Sequence, residues 1–108
     1  MTETSSFMSG LPELAILRLL QEQEMYGYEI VQAIAARTRE ALTPGEGVIY
    51  PLLHALEKDG LLKSRRRTVG GRSRIYYSLN ARGAKKLAAM TDHWKSLTGA
   101  VGAVLNAV

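Results

Sequence analysis

The sequence predicts a mainly helical α+β fold, in which three helices precede a two-stranded hairpin and a long helix follows it. Apolar residues recur at helical spacing before residue 60. Strand-like alternation appears on either side of Gly70 and Gly71. After residue 80, apolar residues return at steps of three and four. With 108 residues, the chain has the length of one domain.

The first two predicted helices cover about 11–23 and about 26–39. A polar segment, 1–9, precedes them and is expected to be flexible. Pro12 is expected in the first turn of the first helix, where a missing N–H costs nothing. Apolar residues cover more than one stripe of this helix, so we expect it to be buried on two sides.

The third predicted helix covers about 43–59 and begins with a recognisable cap. Thr43 is the expected N-cap, and Glu46 completes a Thr-x-x-Glu capping box. Pro51 lies inside the helix, and Gly47, four residues earlier, has no side chain to clash with its ring. Spacing of i, i+3, i+4 and i+7 predicts a buried stripe of Ile49, Leu52, Leu53 and Leu56.

The hairpin is predicted from strands 61–69 and 72–79 around the glycine turn. Alternation on the second strand places Arg72 and Arg74 on one side. On the first strand, Arg65 and Arg67 should lie on one side and Arg66 on the other.

The last predicted helix starts at the N-cap Asn80 and continues through 80–108. At ~1.5 Å per residue it would be ~40 Å long. The body formed by 10–79 should be only ~25 Å across. The helix therefore overhangs the body and needs a second chain to cover its coiled-coil-like seam. The seam consists of Leu87, Met90, Trp94, Leu97, Val101, Val104 and Val108.

Positive charge is concentrated in one short segment. The whole chain has a formal net charge of +4, yet residues 63–86 contain nine lysines and arginines and no acidic residue. Residues 1–62 carry a net charge of −5. Such clustering is typical of proteins that bind a polyanion, although a solvated basic surface would have the same composition.

Other function classes are disfavoured by composition. The chain has no cysteine, which excludes disulfides, thiolate metal sites and cysteine nucleophiles and suits a reducing cytoplasm. Residues 1–9 do not resemble a signal peptide, and no apolar run approaches the ~20 residues of a membrane span. With two histidines and no Gly-rich phosphate loop, we expect no metal, no cofactor and no enzyme.

The element order is that of a winged helix-turn-helix with an added dimerisation helix. The third helix would lie in the major groove of double-stranded DNA, and the hairpin would be a wing over the minor groove. Open alternatives are a core-edge role for Tyr50 and a helix-dipole role for Lys58. The candidate DNA-binding residues are Tyr50, His54, Lys58, Arg72, Arg74, Arg65 and Arg67.

The sequence resembles the short branch of the PadR-type transcriptional regulators. The resemblance extends from about residue 11 to residue 94 and rests on three ordered motifs, YGYEI at 26–30, GVIYPLLHALEKDGLL at 47–62 and GRSRIYYSL at 71–79, and on Gly83. Three departures replace residues that could contact DNA. Val48 stands where the family usually has Thr or Ser, Ala55 where it often has Arg, and Ile75 where it often has Lys.

The resemblance implies a homodimer joined through the first and last helices, usually a repressor of an inverted-repeat operator. Family members are often released by a small molecule, and some short members hold planar aromatic compounds between paired tryptophans. Trp94 occupies the matching place, as an interface residue or also as an effector-binding residue. An alternative is a protein-interaction module whose wing binds acidic protein or RNA.

Overall fold

The computed structural model describes residues 3–106, with side chains described from Gly10 onward. It confirms the predicted fold class: helices pack on one face of a small antiparallel sheet, and a long helix follows the hairpin. The elements are α1 Glu3–Glu22, β1 Met25–Tyr26, α2 Gly27–Arg37, α3 Glu46–Lys58, β2 Leu62–Val69, β3 Arg72–Leu79 and α4 Ala81–Leu105.

The sheet has three strands in the order β1-β3-β2, all antiparallel. The predicted hairpin is confirmed, with Leu62 opposite Leu79 at its base and Val69 opposite Arg72 at its tip. The short strand β1 was not predicted, because two residues are too few to show alternation. It pairs with β3 and places Tyr26 opposite Tyr76.

The hydrophobic core lies between the helices and one face of the sheet. α1 contributes Ile16, Leu17, Leu19 and Leu20 to this core, and α3 buries most of its predicted stripe. Leu52 is the exception and is half-buried. The buried core residues are Ile16, Leu17, Leu19, Leu20, Met25, Ile30, Ile34, Ile49, Leu53, Leu56, Leu61, Leu62, Tyr77 and, from α4, Leu87.

The first helix begins earlier than predicted. α1 starts at Glu3, so the segment predicted to be flexible, 1–9, is helical from that residue onward. Met1 and Thr2 lie outside the described residues. Pro12 lies inside the helix rather than in its first turn. Its ring removes one backbone hydrogen bond from the helix.

The predicted cap of the third helix is wrong. α3 begins at Glu46, its N-cap is Gly45, and no side chain caps it. Thr43 and Pro44 instead line an apolar groove beside α1. Gly45 has extended backbone angles, which leave the Glu46 carboxylate in the first turn, next to the positive end of the helix dipole.

The connection from α2 to α3 explains why α2 ends at Arg37 rather than Arg39. Arg39 and Glu40 adopt positive φ values of 53° and 66°, which no helix can continue through. The Thr38 hydroxyl holds this turn. Its oxygen accepts the Leu42 backbone N–H at 3.0 Å.

The start of α4 follows the prediction closely. Asn80 is the N-cap, and its side-chain oxygen accepts the Gly83 backbone N–H at 2.8 Å. A Cβ at Gly83 would overlap the Leu61 carbonyl oxygen, so only glycine allows α4 to approach the loop this closely. Within residues 3–106, no helix is long and apolar enough to span a bilayer.

Candidate nucleic-acid interface

The outward surface of α3 is the first part of the candidate interface. Of the face predicted from the sequence, Gly47, His54 and Lys58 are exposed, and Tyr50 is half-buried. Val48, Pro51 and Ala55 complete the exposed face. Three small or apolar side chains therefore accompany one imidazole and one ammonium group, and Lys58 lies in the last turn of the helix.

Tyr50 lies at the edge of the core rather than on the outward face. Its ring contacts Gly27 at the start of α2, where any Cβ would overlap the ring. Burial raises the pKa of Tyr50 above its usual value, and Glu46 and Tyr26 raise it further. The core-edge interpretation describes this placement better, and a DNA contact by Tyr50 stays a prediction.

The sheet, formed by β1 and the wing (β2 and β3 with their turn), has two different faces. The inner face packs on the helices and includes Met25, Leu62 and Tyr77, all buried. The outer face points away from them. Side chains alternate along each strand, and directly paired residues share a face. The outer face therefore includes Tyr26, Arg65, Arg67, Val69, Arg72, Arg74 and Tyr76.

Glu24, just before β1, holds two of the outer-face arginines. Its carboxylate accepts hydrogen bonds from two nitrogens of Arg65 and, at 2.9 Å, from Nη1 of Arg67. The hydrogen bond from Arg65 is the main cause that lowers the Glu24 pKa below its usual value. These pairs join residues 41 and 43 positions apart, which no local sequence pattern could reveal.

Two aromatic rings hold other side chains on the same face. The Arg67 guanidinium lies 4.3 Å from the centroid of the Tyr76 ring, and that of Arg74 lies 4.4 Å from the Tyr26 ring. The two rings meet edge to face at 5.4 Å. Tyr76 is consequently only 6% exposed, although it lies on the outer face. Cation–π contacts of this kind hold the arginines in place without neutralising them.

The remaining wing arginines differ in their surroundings. Arg72 is exposed beside the turn, and Arg74 is half-buried by its ring contact. Arg66 lies on the face opposite Arg65 and Arg67, as the alternation predicts, and this is the inner face; its Nη1 donates to the Ser73 hydroxyl at 3.0 Å. The described residues contain no cluster of three or more His, Asp or Glu side chains able to hold a metal ion.

The arrangement of α2, α3 and a cationic wing defines a winged-helix DNA-binding protein. A profile described as the "Transcriptional regulator PadR-like family" matches residues 16–89. The chain belongs to this family, whose members are transcriptional regulators and not enzymes. Membership confirms the resemblance read from the sequence and favours DNA over acidic protein or RNA as the partner.

Individual relatives agree with this assignment. The chain is 34% identical over 91 residues to the transcriptional regulator Rv3488 of Mycobacterium tuberculosis, covering 84% of this chain and 79% of that protein. It is 37% identical over 81 residues to the transcriptional regulator YqjI of Escherichia coli. That match covers 75% of this chain but only 38% of YqjI.

Solved structures show the same architecture. The crystal structure of smu.1704 from Streptococcus mutans superimposes with a TM-score of 0.83 at 30% identity, covering 92% of this chain and 90% of that one. A PadR-like regulator from Bacillus cereus superimposes with a TM-score of 0.82 at 26% identity, covering 95% and 99%.

Proposed function

We propose that this regulator is a homodimeric repressor that binds an inverted-repeat operator. The observation that carries the dimer is the seam of α4, whose apolar side chains become more exposed toward its end. Leu87 is buried, whereas Val101 is 50% and Val104 76% exposed. Met90, Trp94 and Leu97 are half-buried between them.

A second copy of the chain is the natural cover for this seam. The seam is a coiled-coil-like repeat, and such repeats pair with a like helix. A two-fold pair would present two copies of α3, which suits an operator with two-fold symmetry. Leu87, Met90, Trp94, Leu97, Val101 and Val104 would form the interface.

In each half-site, α3 would enter the major groove with His54 and Lys58 toward the DNA and Tyr50 at its edge. The wing would follow the neighbouring backbone or minor groove, where the potential attracts guanidinium groups. Arg72, exposed at the tip, and Arg74 are the first outer-face candidates. Arg65 and Arg67 lie on the same outer face, but Glu24 already holds both, so neither reaches a phosphate unless it leaves that carboxylate.

Titration of the protein into labelled duplex from its own promoter tests DNA binding. Arg72→Ala with Arg74→Ala should weaken binding to every sequence, since phosphate contacts are sequence-independent. His54→Ala should instead change the preference among sequences. Lack of binding to promoter DNA at low salt would refute the proposed function.

Repression and release need separate measurements. Expression of a reporter driven by the same promoter should rise when the protein is removed. A fall in expression would identify an activator. Trp94 is the sole tryptophan, so its fluorescence reports directly on the seam. Quenching by planar aromatic compounds that also release DNA would assign Trp94 an effector role, and no quenching would restrict it to the interface.

A further inference from the structure

We propose that Arg66, rather than Arg65 or Arg67, is the β2 arginine that contacts the DNA backbone beside α3. The inference deepens the proposed function, because it presupposes DNA binding and names a contact that the sequence did not single out. Three observations carry it: the face on which Arg66 lies, the neighbours of that face on α3, and the charge partners of the three arginines.

Arg66 continues a row of side chains that faces α3. The row begins at the buried Leu62 and passes through Ser64, whose hydroxyl donates to the Glu57 carboxylate on α3. Arg66 is the next residue on this face. At ~3.3 Å per residue, its Cα lies ~7 Å beyond that of Ser64, away from the core.

Glu57 marks the side of α3 on which this row runs. On a helix, the residue three positions earlier is a neighbour on the surface. For Glu57 this residue is His54, which is exposed. The inner face of the wing therefore lies beside the second half of α3, which carries the candidate DNA-binding residues His54 and Lys58. A helix in a major groove ~12 Å wide has phosphates close on both sides, so a cation here would meet one of them.

The charge partners separate the three arginines. Arg65 and Arg67 both bond to the Glu24 carboxylate, which already occupies the place a phosphate would take. Arg66 donates instead to the neutral Ser73 hydroxyl, which leaves its charge uncompensated. Its cross-strand neighbour is the apolar Ile75, 36% exposed. Within β2 and β3, Arg66 is the one cation of the inner face, among Leu62, Ser64, Thr68, Ser73, Ile75, Tyr77 and Leu79.

The test compares Arg66→Ala with its neighbours Arg65→Ala and Arg67→Ala on the own-promoter duplex over a salt series. Each variant removes one positive charge from the same strand, so the general electrostatic change is matched. Arg66→Ala should lower the magnitude of the log–log salt slope by about 0.9 and weaken binding about tenfold at 0.1 M salt. Arg65→Ala and Arg67→Ala should leave the slope unchanged.

Two further variants keep the test interpretable if Arg66→Ala folds poorly. Arg66→Lys retains the charge and should keep the slope. Ser73→Ala removes only the hydrogen bond and should also keep it. An unchanged slope in a folded Arg66→Ala variant, an equal or larger loss in Arg65→Ala or Arg67→Ala, or a slope lost in Arg66→Lys, would overturn the inference. If the wild-type protein does not bind the promoter duplex, the proposed function itself is overturned.

Discussion

Apolar side chains are buried in the body of the molecule but exposed along the second half of α4. In the body, the large aliphatic residues of α1, α2 and α3 are buried against one another and against the sheet. Along α4, burial ends after Leu87, and Leu105 is 77% exposed. Burial of apolar surface is the main force that stabilises a fold. The body therefore stabilises itself, whereas the end of α4 can gain this stabilisation only from a partner.

The largest effect should come from the core of the body. Leu53 is fully buried, so Leu53→Ala should lower the free energy of unfolding by about 2–5 kcal/mol, through lost transfer energy and a cavity. Leu105→Ala is the matched deletion at the exposed end of α4. Urea unfolding, at a protein concentration low enough to dissociate a dimer, should show almost no decrease in the free energy of unfolding for that variant. Equal losses would remove the contrast between the two regions.

A smaller effect is expected where α4 leaves the body. Gly83→Ala places a methyl group against the Leu61 carbonyl oxygen, a backbone atom that cannot rotate away. Overpacking of this kind costs about 1–3 kcal/mol. Gly47→Ala is the control, because a Cβ there has no neighbour within 4 Å, so the clash with the Pro51 ring expected from the sequence does not arise, and alanine favours the helix. The midpoint of thermal unfolding should therefore fall for Gly83→Ala and rise for Gly47→Ala. An unchanged midpoint in Gly83→Ala would show that α4 does not pack tightly against the Leu61 carbonyl oxygen.

Disrupting the seam should change assembly but leave the fold intact. Val104→Glu places a charge where two apolar ridges would meet, and the dimer dissociation constant should rise at least tenfold, or about 1.4 kcal/mol. Ala103→Glu adds the same charge to an exposed position off the seam. Sedimentation velocity with circular dichroism measures both variants. Similar dissociation by Ala103→Glu would place the interface elsewhere.

The smallest effect belongs to the outer face of the wing. Arg65, then Arg67, holds the pKa of Glu24 below its usual value in the folded chain. A lowered folded pKa means that the ion pair contributes stability above the unfolded value near 4.5, and that this contribution is lost as pH falls through the folded pKa. The difference in stability between wild type and Glu24→Gln should therefore be slight at pH 7, because the pair is exposed, and should vanish in acid. A difference that grows on acidification would contradict this sign.

Local patterns predicted most of the fold. Periodicity predicted the stripe of α3, the glycine turn predicted the hairpin, and Asn80 predicted the start of α4. Signals that are not local were missed. The pairing of β1 with β3 and the contact between Glu24 and two arginines form between distant segments. Thr43 shows the converse. The Thr-x-x-Glu motif is present in the sequence, but the helix begins two residues later, with the extended Gly45 as its N-cap.

In the candidate site, too, local features were predicted from the sequence and contacts between distant segments were not. The sequence predicted which wing arginines share a side, because alternation is local. It could not tell which side faces α3, since this depends on the contact between Ser64 and Glu57. Nor could it place Tyr50, whose ring fits against Gly27 of another helix. Helical spacing alone assigned that tyrosine to the outward face.

The mass of the protein, free and bound to promoter duplex, tests the account most directly. Sedimentation equilibrium should give two chains per particle in solution and two chains per duplex on an inverted repeat, with both values retained by Ala103→Glu and lost by Val104→Glu. A single chain in solution with its α4 ridge bare, or one chain per duplex, would contradict it.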